Sequence, residues 1–160
     1  MKVLGVDPGT RRAGYGVVVS DSKRASVSDM GTIHMNPKED IGSRLNHLMS
    51  SISAIVEESR PDYIFVERVY VAKSAESALK LKMANGVVHQ VAARYSIPCE
   101  EVSPSSAKKC VTRDGSATKN SVRRSVQRLC QLDEAPPSDA ADAVAIALCG
   151  AARVKKRENG

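Results

Sequence analysis

Four carboxylates stand where phosphate chemistry could use them. Asp7 closes the apolar run Lys2–Val6, and Glu67 closes Tyr63–Val66. Asp139 and Asp142 lie three apart in the small, apolar stretch that runs on to Leu148. Residues at i and i+3 of a helix share a face, with Cβ atoms about 5–6 Å apart. An acid at the tip of a buried strand is costly to desolvate unless a cation or a donor meets it. Singly, each acid has an ordinary explanation as a helix cap, a loop solvator or a partner of the helix dipole. Together they say more. If the two strands are neighbours and the last helix packs beside them, four negative charges converge. Such a cluster repels itself unless hard divalent cations sit within it. Mg²⁺ suits carboxylate oxygens and keeps some of its waters. Two such ions about 3.5–4 Å apart can activate a water and stabilise the leaving oxygen of a phosphodiester. The expected chemistry is metal-dependent hydrolysis of a nucleic acid backbone.

The charge distribution supplies a place for that backbone. The chain has 160 residues and a net charge of +6. Residues 101–130 carry seven basic side chains (Lys108, Lys109, Arg113, Lys119, Arg123, Arg124, Arg128) against two acids, Glu101 and Asp114. A local excess of this kind is the footprint of a polyanion partner when a phosphate site lies nearby, and otherwise only a solvated helix face. Hydrophobic residues at 42% and charged residues at 26% fit a globular domain and exclude wholesale disorder or a disulfide miniprotein. No apolar run approaches a membrane span, and Asp7 arrives too early for a signal-peptide apolar region, so a cytoplasmic location is expected. Cys99, Cys110, Cys130 and Cys149 form no C-x-x-C pair, which argues against a zinc site. His34, His47 and His89 are scattered, and nothing supports a serine or thiol hydrolase.

The elements that must position the acids are legible from periodicity. Lys2–Asp7, Gly14–Ser20 and Ala25–His34 read as three strands of an antiparallel meander, with turns at Pro8-Gly9-Thr10 and Asp21-Ser22-Lys23. Ile41, Leu45, Leu48, Met49, Ile52, Ile55 and Val56 recur at helical spacing behind Asp40 as N-cap. A strand at Tyr63–Val66, a helix over 74–95, a strand at Cys99–Val102 and helices over 105–111 and 118–130 follow. The last helix is expected over Ser138–Ala152, with Ser138 as its cap. The order describes an α/β fold with a five-stranded mixed sheet, strands 1–3 antiparallel and strands 4 and 5 parallel, flanked by helices. One domain over 1–153 is expected, with a charged, disordered tail over 154–160.

Val6-Asp7-Pro8-Gly9-Thr10, Val66-Glu67, Ser77-Ala78-Leu79-Lys80-Leu81 and Asp139-Ala140-Ala141-Asp142-Ala143 together resemble the RuvC family of Holliday-junction resolvases, across about residues 1–150. The resemblance implies a ribonuclease-H-like fold. It implies a homodimeric, structure-selective endonuclease that acts in recombination and repair, nicking opposed strands of a four-way DNA junction symmetrically and leaving 5′-phosphates. It implies two Mg²⁺ per active site, with Mn²⁺ able to substitute, held by Asp7, Glu67, Asp139 and Asp142. By the same match Tyr70 takes the place of an aromatic that stacks on an unpaired junction base, as any base's π-face allows. Lys108 and Lys119 take the family's basic positions, and Lys119 sits in a G-x-A-x-K stretch, Gly115–Lys119. Lys80, Lys109, Arg113 and Arg123 complete the expected DNA-binding set. The helix over 74–95, with Gly86, matches the segment that family members use to dimerise. The resemblance also suggests a bacterial nucleoid-associated location and, as partner, a branch-migration motor of the RuvA–RuvB type.

The chain departs from the family pattern at three positions. Arg113 replaces a usual glycine, Ser121 a frequent glutamine and Asn85 a common arginine. Two other readings stay open on sequence: a ribonuclease-H-like nuclease for RNA or simple DNA, and a non-catalytic junction-binding protein with structural acids. The Asp-x-Gly-Thr motif also occurs in actin-like and sugar-kinase ATPases, but those need two duplicated domains, which 160 residues do not supply.

Overall fold

Alternation along the strands decides which side chains meet. The computed structural model describes residues 1–21, 24–71 and 74–160. Strands β1 (Lys2–Asp7), β2 (Arg12–Ser20) and β3 (Ala25–His34) form the antiparallel meander. Helix α1 (Ile41–Ser59) crosses to β4 (Tyr63–Glu67), which pairs in parallel with β1. Helix α2 (Ala75–Arg94) then leads to β5 (Cys99–Val102), parallel to β4. The sheet order is β3-β2-β1-β4-β5, as the element order predicts. The turn expected at Asp21-Ser22-Lys23 includes Ser22 and Lys23, which lie outside the described residues.

Helices cover both faces, so the central strands are apolar throughout. Leu4, Val6, Ile64 and Val66 point to α1 and α2, into a core with Leu48, Ile52 and Val88. Val3 and Phe65 point the other way, into a core shared with α3 (Pro104–Thr112), α4 (Lys119–Leu129) and α5 (Ser138–Glu158). Asp7 and Glu67 follow the second phase, and each is therefore delivered to the α5 side of the sheet.

Helix α5 lies on β1 and β2 with almost no side chain between the backbones. A Cβ at Gly5 would stand 2.1 Å from the Ala143 carbonyl oxygen, and one at Gly14 1.9 Å from that of Asp139. Glycine is required at both, and this close approach sets the first turns of α5 beside the end of β1. Ala140, Ala141, Ala143 and Ala147 are fully buried for the same reason.

Local signals explain most boundaries. The Asp40 carboxylate accepts from the Ser43 amide at 3.0 Å and opens α1; Arg60 at φ 48° closes it. Ser74, Ser103 and Thr118 cap α2, α3 and α4 in the same way. Arg113 adopts φ 67° at the end of α3, the left-handed position that favours glycine, which accounts for the family's usual residue there. Ser121 is the third residue after the Thr118 cap, where a glutamine would complete a capping box.

Three expectations are corrected. Strand β2 begins at Arg12, two residues earlier than its β-branched run, because Arg12 and Ala13 pair with His34 and Ile33. Ser138 is the first residue of α5 and not its cap; Pro137 precedes it and supplies no side-chain hydrogen bond. Helix α5 runs to Glu158, past its expected end at Ala152 and through most of the segment expected as a disordered tail. Val154 is buried in the α5-side core, and Arg157 donates to both Glu100 carboxylate oxygens at 2.6 and 2.9 Å, which holds the last turns against β5.

Candidate active site

Strand alternation and the glycine-mediated seat of α5 bring Asp7, Glu67 and Asp142 to one cavity of about 190 Å³. Lys108 from α3 and Lys119 at the start of α4 form its cationic wall. Val122 and Ala145 are among the apolar side chains that line the rest of it. Asp139 sits at the shoulder. It lines an adjoining groove, and its carboxylate lies 3.6 Å from the Arg12 guanidinium. Its charge still reaches Asp7 and Asp142.

The electrostatics are those of an acid cluster awaiting cations. Burial raises Asp7 well above the usual carboxylate range, and the charges of Glu67 and Asp142 add to it. Burial also raises Glu67, with Asp142 second, while Asp7, Lys108 and Lys119 pull it back. Asp142 is raised by burial first, against the pull of Lys119. Asp7 and Glu67 interact directly, which raises Asp7 further and lowers Glu67.

The acids that line this cavity offer hard carboxylate oxygens, which fits a divalent cation such as Mg²⁺. Among the described residues no three acids, histidines or cysteines already close around one point. Loading an ion therefore requires the carboxylates to draw closer around it. The fit is chemical, and the acids are gathered rather than locked.

The expected DNA-binding residues separate into groups. Lys108 and Lys119 reach the acid cavity. Tyr70 follows β4 with 54% of its surface exposed and lies within hydrogen-bonding reach of Arg68. Arg113 is exposed in the turn after α3, its side chain free of the cavity lining. Lys80 donates to Glu76 at 2.7 Å on the outer face of α2. Lys109 is exposed and does not line the cavity. Arg123 is turned inward, its Nε donating to the Pro136 carbonyl at 2.7 Å, which ties α4 to the segment before α5.

Two residues escaped the sequence reading. Asn85 is buried in α2, and its amide donates to the Glu67 carbonyl at 3.0 Å, fixing the strand end that carries an acid. Its departure from the family's arginine was the available signal. Arg12, the partner of Asp139, gave none, because its role depends on the β2–β3 register.

Comparison with known proteins agrees with this geometry. The family model described as crossover junction endodeoxyribonuclease RuvC matches residues 3–150. The RuvC of Shewanella loihica is 40% identical over 147 residues, covering 92% of this chain and 84% of that protein. That of Geobacter sulfurreducens is 37% identical over 151 residues, covering 94% and 92%. Among solved structures, Thermus thermophilus RuvC superposes with a TM-score of 0.88 at 30% identity, over 98% of this chain and 96% of that one. The same protein in complex with Holliday junction substrate gives 0.90 at the same identity and coverage. The yeast mitochondrial resolvase Ydc2, at 16% identity and a TM-score of 0.66 over 98% and 83% of the two chains, shares the fold. With its motifs, its sheet order and these relatives in agreement, the chain belongs to the RuvC family of crossover junction endodeoxyribonucleases.

Proposed function

We propose that this protein resolves four-way DNA junctions by hydrolysing one phosphodiester in each of two opposed strands. The observation that carries the reading is the cavity where Asp7, Glu67 and Asp142 meet Lys108 and Lys119, in a chain of this family. Asp7, Glu67, Asp139 and Asp142 would hold two Mg²⁺, or Mn²⁺ in their place. When bound, such ions supply an activated water and offset charge on the leaving 3′-oxygen. The chain's own contribution is placement. Asp7 and Glu67 are fixed by paired strands, and the Glu67 backbone by Asn85. Lys108 and Lys119 hold the scissile phosphate and offset its developing charge. The apolar lining from Val122 and Ala145 limits water on one side of the cavity. Tyr70 is exposed to stack on an unpaired base. The product ends are a 5′-phosphate and a 3′-hydroxyl.

Two opposed nicks call for two sites related by a two-fold axis, hence a homodimer. Helix α2 offers the surface. Leu79 and Met83 are 68% and 46% exposed, and Gly86, on the same face, has nothing within 4 Å that a Cβ would meet. A second copy of α2 would cover this stripe. A motor of the RuvA–RuvB type would act on the same junction before cleavage.

The deciding experiment is cleavage of a synthetic immobile junction in Mg²⁺, with both nicks mapped, beside duplex DNA and structured RNA. Symmetric nicks on the junction alone support the reading. Preferential cutting of duplex or RNA replaces it with a different nuclease of the same fold. Junction binding with no cutting under any metal makes the protein a non-catalytic binder.

A further inference from the structure

A second concavity adjoins the acid cavity and shares Lys119 with it. It encloses about 440 Å³ between the β2–β3 edge and the start of α5. Its sheet wall is Arg12, Thr32 and His34. Arg12 and His34 are direct cross-strand partners, and Thr32 pairs with Gly14. All three therefore stand on one face of the ribbon, the face on which Gly14 meets α5. Arg12 keeps 65% of its side chain exposed, and His34 is exposed as well. The opposite wall is Lys119, from α4.

The donors in this groove outnumber its acceptors. Asp139 is its one acidic side chain, and that carboxylate belongs to the acid cluster. The Ser138 hydroxyl is buried with no hydrogen-bond partner among the described residues, and the amino end of α5 has no side-chain cap. Two basic residues, Arg12 and Lys119, drawn from a strand and a different helix, with an imidazole and the Thr32 hydroxyl between them, make a surface for an anion with several acceptor oxygens. An arginine in this setting prefers phosphate to a point charge, because its donors form a planar fork.

We infer that Arg12, Thr32 and His34 form a subsite for a non-scissile backbone phosphate of the strand being cut. The inference rests on the junction-cleaving reading and extends it. A phosphate held there fixes how far the strand has advanced over the acids, and so which bond faces them. It also draws Arg12 away from Asp139, freeing that carboxylate for an ion. Arg12 thereby couples correct seating of the strand to completion of the acid cluster.

The test pairs protein changes with single neutral phosphates. Junctions carrying one methylphosphonate at each position within three nucleotides of the cleavage point are compared for wild type and for Arg12→Gln/His34→Gln. Both side chains are exposed, and thermal melting checks that the variant folds. In wild type one non-scissile position should lower single-turnover cleavage by about tenfold to a hundredfold, the range for a hydrogen bond to a charged group. The double variant should start lower by a similar factor and lose nothing further at that position. Its junction binding in Ca²⁺ should show a salt slope reduced by about 1. Equal losses in both proteins at every position overturn the subsite. So does a variant whose defect disappears at high Mg²⁺ with the salt slope unchanged, since Arg12 then only neutralises Asp139. Wild type that neither binds nor nicks junctions overturns the junction reading itself, and this inference with it.

Discussion

Glu67 and Glu101 sit on neighbouring parallel strands, one step apart in register, and their surroundings are opposite. Glu101 pairs with Val66 and therefore faces the α2 side. Lys82 reaches it at 2.8 Å, Arg68 at 3.3 Å and His89 at 3.7 Å. Its pKa is lowered, first by the hydrogen bond from Lys82. Glu67 faces the α5 side, among Asp7 and Asp142, and burial raises it. One glutamate has its cations built into the chain. The other stands among like charges with two lysines at the margin. The difference teaches that an acid's role is read from what neutralises it. Glu101 is complete as it stands, whereas the Glu67 cluster is complete only with cations from outside.

The comparison can be broken most directly by exchanging each carboxylate for its amide. Glu67→Gln or Asp7→Asn should lower Mg²⁺-dependent junction cleavage by roughly 10³-fold or more, as for a group with a direct part in the chemistry, while junction binding in Ca²⁺ survives. Glu101→Gln should leave cleavage within about tenfold. Equal losses for Glu67→Gln and Glu101→Gln would erase the distinction drawn here.

Smaller effects concern stability. Asn85→Ala leaves the buried Glu67 carbonyl without its donor and should cost about 1–3 kcal/mol in urea unfolding, with a loss in kcat larger than any change in KM. The two glutamates should also respond oppositely to pH in metal-free protein. Asp7, Glu67 and Asp142 have folded-state values above their unfolded ones, so their contribution is full at low pH and is lost as pH rises through the raised values. Glu101 is lowered from 4.5, so its contribution is present above that value and is lost as pH falls through the lowered one. Asp7→Asn should accordingly stabilise the metal-free protein at pH 7 by about 0.5–2 kcal/mol, a gain typical of relieving a strained functional site. Thermal melts over pH 4–8 would show the rise and a flatter pH profile. Glu101→Gln should destabilise at pH 7 by about 1 kcal/mol at most, because its partners are half exposed and screened.

The smallest effects lie at the end of α3 and in the first turn of α4. Arg113→Gly should stabilise by up to about 1 kcal/mol, since the left-handed backbone there disfavours a Cβ. Ser121→Gln should add a few tenths of a kcal/mol in the capping box. Neither should change cleavage as the acid substitutions do.

Much of this architecture was legible because its signals are local. The short apolar runs of Lys2–Val6 and Tyr63–Val66, the helical repeat from Ile41 to Val56 and the cap at Asp40 are properties of short windows. The exceptions share a cause. Val154 and Arg157 look like a charged tail until β5 supplies Glu100 beside them. Arg123 reads as a free cation until Pro136 is placed against it. Asn85 is only a departure from the family's arginine until the end of β4 lies over it. In each case the partner lies well away in sequence, and nothing in the local window says which residue it is.

The sequence by itself determined the element order and the family and singled out four acids as candidates, because apolar period and motif spacing are written along the chain. Tertiary structure alone decided how those acids are shared out: Asp7, Glu67 and Asp142 in one cavity, Asp139 at its shoulder against Arg12. The physical reason is the bare backbone contact of α5 with Gly5 and Gly14, which sets the helix's rotation over the sheet. That rotation, which no motif encodes, fixes the direction in which each carboxylate faces.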